Sequence, residues 1–193
     1  VSATEGIVGD EVTFSFINLP ASAEIAVEWV GIGFLSEVAL GTADDNGAWE
    51  GTCVVGDLDG DGEVTIDPED IEASEGIPGG ECSVIAVVTA DGKTRAKEIV
   101  KFKILPEFKV WNLEDDKELE EAQVTDELGL RGTGFPIDST VTTAFFGTEK
   151  VDCEDFETEN KGVFLIDQDE DGEALKLPHV SGGGKSVAVT VEG

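Results

Sequence analysis

Residues 10–31 and 126–147 repeat one another at a constant offset of 116. Asp10-Glu11 matches Asp126-Glu127, Leu19-Pro20 matches Phe135-Pro136, Ile25 matches Val141, Trp29 matches Phe145 and Gly31 matches Gly147. Further on, Asn46-Gly47-Ala48-Trp49 corresponds to Lys161-Gly162-Val163-Phe164, and Ser83-Val84-Ile85-Ala86 to Ser186-Val187-Ala188-Val189. A pattern that returns after half the chain requires one architecture used twice, so the 193 residues should form two similar units. Each unit is long enough to bury its own core. The boundary falls near Pro106, which gives domains of 1–105 and 106–193.

Strand signals dominate both units. Segments 12–17, 25–30, 48–55, 63–66, 82–89 and 96–105 are short, β-branched or aromatic, and bounded by Gly, Pro, Asn and Asp. Residues 113–121 are the best helical stretch, but they are acid-rich with few apolar positions, and a solvated loop fits them as well. The expected class is all-β: two tandem immunoglobulin-like β-sandwich domains, jelly-roll-like in character. The segment Gly129-Leu130-Arg131-Gly132-Thr133-Gly134-Phe135-Pro136 resembles the strand opening of TIG and related immunoglobulin-like surface domains.

The two copies end differently. In the first, Thr89-Ala90-Asp91-Gly92 turns into a further long strand, whereas the second reaches Thr190-Val191-Glu192-Gly193 without one. A sandwich lacking its last strand exposes apolar core and a row of unpaired backbone groups. The expected polymer interface is therefore the second sandwich beside Lys185, Val187, Val189 and Val191. The expected donor is a neighbour's N-terminal segment, with Val1, Ser2, Ala3, Thr4, Ile7 and Val8 adding the absent strand. Such a contact is head-to-tail and propagates into a ring or filament.

Asp57-Leu58-Asp59-Gly60-Asp61-Gly62-Glu63-Val64-Thr65-Ile66 places carboxylates at positions one, three and five and a glycine at six. Calcium takes six to eight hard oxygen ligands at about 2.3–2.6 Å, and alternating Asp residues on a tight turn supply them. Over these residues the pattern resembles EF-hand and dockerin loops. Glu63 offers its carbonyl and Thr65 a ligand directly or through water. Position twelve, where those families place a bidentate acid, is Pro68, so closure falls to Asp67, Glu69 or Asp70. An acidic β-turn is the plainer reading. Asp167-Gln168-Asp169-Glu170-Asp171-Gly172-Glu173 repeats the spacing, again with proline, Pro178, at position twelve. Asp167, Asp169, Asp171 and Glu173 are therefore candidate ligands of a second calcium ion.

Forty-three acids against twelve bases give a formal charge of −31. That charge disfavours nucleic acid and anionic membrane surfaces and favours cations. Halophilic adaptation is a rival explanation of the acidity. No apolar run approaches the ~18 residues of a membrane span. A start at Val1 suggests a processed mature protein, secreted after signal-peptide removal, where calcium is plentiful. Cys53 and Cys82 share one repeat unit, and a bridge between them would contribute about 3–4 kcal/mol. Cys153 is left over, either buried or paired between chains. His179, the only histidine, has no nucleophile or metal-ligand partner at a recognisable spacing, and Gly182-Gly183-Gly184-Lys185 lacks the phosphate-loop pattern. The chain is not expected to be an enzyme.

Taken together, the acidic, strand-rich, calcium-loop-bearing chain with an incomplete terminal sandwich resembles the cannula proteins, subunits of extracellular tubes made by hyperthermophilic archaea. The resemblance implies a homopolymer assembled with calcium by donor-strand complementation. The rival from another class is a calcium-binding adhesion or carbohydrate-binding module of a larger cell-surface protein.

Overall fold

The computed structural model describes residues 2–31, 35–67, 74–115, 117–123, 126–158, 161–169, 171–176 and 187–192. The chain is all-β, with no helix among these residues. In the first half, β1 (Glu5–Gly6), β7 (Lys93–Ile104), β6 (Gly80–Ala90), β3 (Glu24–Val30) and β4 (Leu35–Thr42) form one sheet in that order. β2 (Glu11–Phe16) pairs with β5 (Trp49–Val54) to form the opposing layer. In the second half, β13 (Phe164–Ile166), β10 (Glu127–Thr133), β8 (Glu107–Asn112) and β9 (Lys117–Glu118) make one sheet, with β14 (Leu175–Lys176) also on β10. The facing sheet is β12 (Glu149–Glu157), β11 (Thr140–Phe146) and β15 (Val187–Glu192).

Period-two alternation builds both cores. Along β3, Ile25, Val27 and Trp29 point inward and are at most 1% exposed. Trp29 meets Phe102 edge-on, with ring centroids 5.5 Å apart, inside a cluster that includes Phe14, Val84 and Ile104. The second half has its own cluster around Leu128, Leu130, Val141, Phe146, Phe164 and Leu175. Both the strand pairing and the clusters divide between Ile104 and Glu107.

The repeat seen in sequence recurs in detail. Leu19 donates its N–H to Gly47 O at 2.9 Å and Phe135 donates to Gly162 O at 3.0 Å. A Cβ on either glycine would fall within 2.2 Å of the carbonyl oxygen of Leu19 or Phe135, so no larger residue fits. Ser22 and Asp138 both hold φ 58° at the same turn. β2–β5 corresponds to β10–β13, and β6–β3–β4 to β15–β11–β12. β7 has no counterpart among the described residues: β6 lies between β3 and β7, while β15 has β11 alone.

One local expectation changes, and two further stretches take a shape that the sequence left open or did not signal. Residues 63–66 form no strand, because Glu75 takes both the N–H and the carbonyl of Thr65 into the loop closure. Residues 113–115 are a turn and β9 covers Lys117–Glu118, the loop alternative to a helix here, with Asp115 N–H bonded to the Asn112 side chain at 2.9 Å. β4, with only Val38 and Thr42 β-branched, and β12, with five acids among its nine residues, carry a weak strand signal and form through pairing with β3 and β11.

The halves touch through residues 74–79. Gly79 N–H bonds Phe135 O at 2.9 Å, and the Lys161 ammonium donates to Ser74 O. A Cβ on Gly79 would lie 1.9 Å from Gly134 O, which makes this a backbone-to-backbone contact.

A candidate metal centre

β5 runs out of the core through Val54 and Val55 and delivers Asp57 to a turn. Asp57 is only 3% exposed, while Asp59 and Asp61 face solvent. Gly60 and Gly62 hold φ of 84° and 93°, a region that glycine enters without penalty, and this coils the chain around Asp57. The buried carboxylate accepts the N–H of Gly60 at 2.6 Å and of Gly62 at 2.9 Å. Asp59 accepts from Asp61 N–H at 3.0 Å, and Asp61 from Glu63 N–H at 2.9 Å. Each carboxylate has about four acceptor positions, so these bonds fix the ring and leave oxygens spare. One oxygen from each of the three lies within 4.8 Å of the others, a spacing that a single cation could bridge.

Closure comes from a residue the sequence reading missed. Glu75 accepts Leu58 N–H at 3.2 Å through one oxygen and Thr65 N–H at 3.0 Å through the other, and its own N–H bonds Thr65 O at 2.7 Å. It lies eighteen residues beyond Asp57, outside any contiguous loop pattern; only its place before the Gly76-Ile77-Pro78 turn hinted at a role. Leu58 and Val64 pack on the first core and anchor the loop from below. Glu63 and Thr65 are exposed and contribute backbone N–H groups to the framework. Asp67 is outside the ring, with its backbone tied to Ser74 Oγ at 2.8 Å. Glu69 and Asp70 lie outside the described residues.

The second acidic loop has a different shape. Gln168 bridges Ala174, Leu175 N–H bonds Asp167 O at 2.9 Å, and Asp169 Oδ1 accepts from both Asp171 and Glu173 N–H at 3.1 and 2.9 Å. This is a hairpin end. Among the described residues, Asp57, Asp59 and Asp61 form the one acidic trio gathered closely enough for a metal; Asp167, Asp169, Asp171 and Glu173 are not gathered. Here the plainer acidic-turn reading describes the geometry.

The possible bridge between Cys53 and Cys82 is not formed. Both thiols are free and buried, each packed as a small apolar group in the first core, on strands of opposite sheets. Burial, with the nearby Asp57 charge adding to it, pushes the Cys53 thiol up to about 12. Burial pushes Cys82 up to about 11, against a lowering by Lys101. Of Cys153 only the backbone, on β12, is described.

The expected donor segment is already in use. Ser2 N–H bonds Thr13 O at 2.9 Å, and Thr13 N–H bonds Ser2 Oγ at 3.0 Å. Thr4 O accepts from Lys103 N–H at 2.9 Å, β1 pairs in parallel with the end of β7, and Ile7 N–H is held by Asp10 at 3.0 Å. Ala3 and Val8 pack into the first core. The segment's apolar residues thus find their own sandwich first. On the acceptor side, Val187, Val189 and Val191 are half-buried along β15, which pairs only with β11 among the described residues. Val1, Pro178, His179 and Lys185 lie outside the described residues. Comparison of the chain with protein families, with curated proteins and with solved structures finds no match.

Proposed function

We propose that the chain is a structural subunit of a calcium-dependent extracellular filament or tube, built of immunoglobulin-like sandwiches like those the cannula resemblance implies. The observation that carries this reading is the unequal flank of two corresponding strands: among the described residues β6 is paired on both sides and β15 on one. An unpaired edge over half-buried valines accepts a strand from another molecule, and a contact between unlike surfaces propagates from copy to copy. Calcium held by Asp57, Asp59 and Asp61 would reduce the repulsion between copies that each carry −31. Because residues 2–8 are tied into their own sandwich, donation from this end requires exchange of that segment, not capture of a loose one.

The same tie-down favours a second reading, a calcium-binding adhesion or carbohydrate-binding module of a larger cell-surface protein. Sedimentation with calcium and with chelator separates the two. A subunit grows into large particles with calcium and reverts on chelation; a chain that stays monomeric in both conditions overturns the subunit reading.

A further inference from the structure

The surface by which the second half receives the first has an open counterpart in the first half. In the second half it is the Gly134-Phe135 turn with Lys161, Gly162 and Val163. Phe135 O accepts Gly79 N–H at 2.9 Å, the Lys161 ammonium donates to Ser74 O, and a Cβ on Gly162 would lie 2.9 Å from Pro78 Cα. Val163 is fully buried, and a Cβ on Gly76 would sit 3.2 Å from its Cγ2. By the repeat, these positions correspond to Asn18-Leu19 and Asn46-Gly47-Ala48. The backbone is alike in both: Asn18 and Gly134 hold φ of 60° and 69°, and Leu19 and Phe135 each donate to the corresponding glycine carbonyl. Burial differs. Gly134, Phe135 and Val163 are buried, whereas Asn18 and Asn46 are exposed and Leu19 and Ala48 half-buried. Leu19 O accepts no N–H among the described residues. Ile17, which enters this turn, is 73% exposed, and apolar exposure beside an uncovered turn marks an association surface.

The difference extends along the adjoining strand. β8 runs beside β10 as far as Thr133, the counterpart of Ile17, while beside β2 the described residues place only Ser2, at Thr13. Within the chain, β7 on the flank of β6 leads through Leu105 and Pro106 into β8 on the flank of β10. Among the described residues the counterparts of both flanks are open, at β15 and at β2. If the second half of one copy met the first half of the next as the two halves meet within the chain, these open flanks would adjoin. The second half repeats the sequence of the strap as well: Ile77-Pro78-Gly79-Gly80 corresponds to Val180-Ser181-Gly182-Gly183, which lie outside the described residues.

We propose that the face formed by Ile17, Asn18, Leu19, Asn46 and Ala48 docks the second half of another copy of this chain. This rests on the subunit reading and deepens it. One relation between successive sandwiches, used once inside the chain and again between chains, is head-to-tail and generates a filament without a second kind of contact. The five positions are uncharged. Of the two acids on the same turn, Asp44 accepts the Asn46 and Ala48 N–H groups at 2.8 Å, and Asp45 is exposed. The face therefore contributes shape and apolar contact, and damping of the repulsion between copies falls to cations.

The test uses the full chain with calcium, read by sedimentation. Ile17→Asp should reduce association by about ten-fold or more, the factor that burying one isoleucine is worth, and Ala48→Glu should do the same. Thermal melts verify folding; because Ile17 is already exposed in the single chain, its variant should melt as the unaltered chain does. Ile99→Asp alters a comparably exposed isoleucine on β7, 63% exposed, and should leave association unchanged. A photo-reactive group at Asn46 should join one copy to residues 106–193 of another. Unimpaired assembly of Ile17→Asp, or an equal loss from Ile99→Asp, overturns the inference and leaves the subunit reading standing. Crosslinks that reach only residues 1–105 of another copy overturn the second half as the occupant. Failure of the unaltered chain to associate at all removes the subunit reading together with this one.

Discussion

In the first acidic loop the N–H groups of Gly60 and Gly62 turn inward onto a single buried carboxylate, that of Asp57; in the second, Gln168 pairs across to Ala174 and the chain runs on as a hairpin. The spelling of acids is nearly the same in both. What differs is position two, Leu58 against Gln168, position four, Gly60 against Glu170, and the presence of Glu75 to close the first loop from outside. Two residues of extended strand cover about 6.6 Å, which parts Asp167 from Asp169, and Asp171 lies beyond them in the hairpin turn, whereas the acids of the first loop converge on a coiled turn. Alternation of acids is therefore insufficient; the backbone must curl around the first of them.

The largest effect that would sharpen this contrast comes from Asp57 itself. Asp57→Ala removes a proposed calcium ligand and leaves the Gly60 and Gly62 N–H groups without their acceptor, at a cost of about 1–3 kcal/mol. Calorimetric titration should then detect no calcium binding, and the melting temperature should fall. Asp169→Ala should leave calcium affinity unchanged. Equal losses from both substitutions would break the contrast and return the second loop to the list of metal sites.

Glu75→Gln is expected to have an intermediate effect. The amide keeps one acceptor oxygen but cannot receive both Leu58 and Thr65 N–H, so the ring loosens while its three acids remain. Affinity for calcium should fall by about 10–100-fold, the usual result of losing a group that orients ligands. An unchanged titration would mean that the ring holds its shape without outside closure.

The smallest effect is read at Cys53. Its thiol is raised to about 12, above the ordinary 9.0, first by burial and then by the Asp57 charge. The folded chain therefore holds this proton where the unfolded chain has released it. Stability is complete below about pH 9 and declines as pH rises towards 12. A cation at Asp57 offsets the second cause, so calcium should modestly speed alkylation of Cys53 at pH 9–10 relative to chelator, with Cys82 as internal control. Identical rates with and without calcium would place the ion away from Asp57.

Much of this was legible because the strands that build the cores advertise themselves. β2 alternates apolar and polar residues, β3 and β6 are rich in Val and Ile, and the 116-residue offset located the counterparts of β2 and β3, with the match of Ser83–Ala86 to Ser186–Val189 locating that of β6. β4 and β12 were not legible: their residues have little strand preference, and they are extended because a neighbour offers a ladder. In the loop, Asp57, Asp59 and Asp61 could be read from spacing because they form a local turn. Glu75 could not, since its role depends on how the chain returns after eighteen residues. The N-terminal segment was read as loose because its register with β7 is parallel and remote, a pairing with no sequence pattern of its own.

The contact of Gly79 with Gly134 and Phe135 bears on how a duplicated chain of this kind can change over generations. Among the described residues the two units differ in the strands at their margins, β7 in the first and β8 in the second. The seam allows no such difference, because a methyl group at residue 79 would overlap a carbonyl oxygen in the other half. The seam also continues directly into Glu75 and Ser74, so a drift that parted the halves would in the same step unfasten the acidic ring. Selection on either feature preserves both.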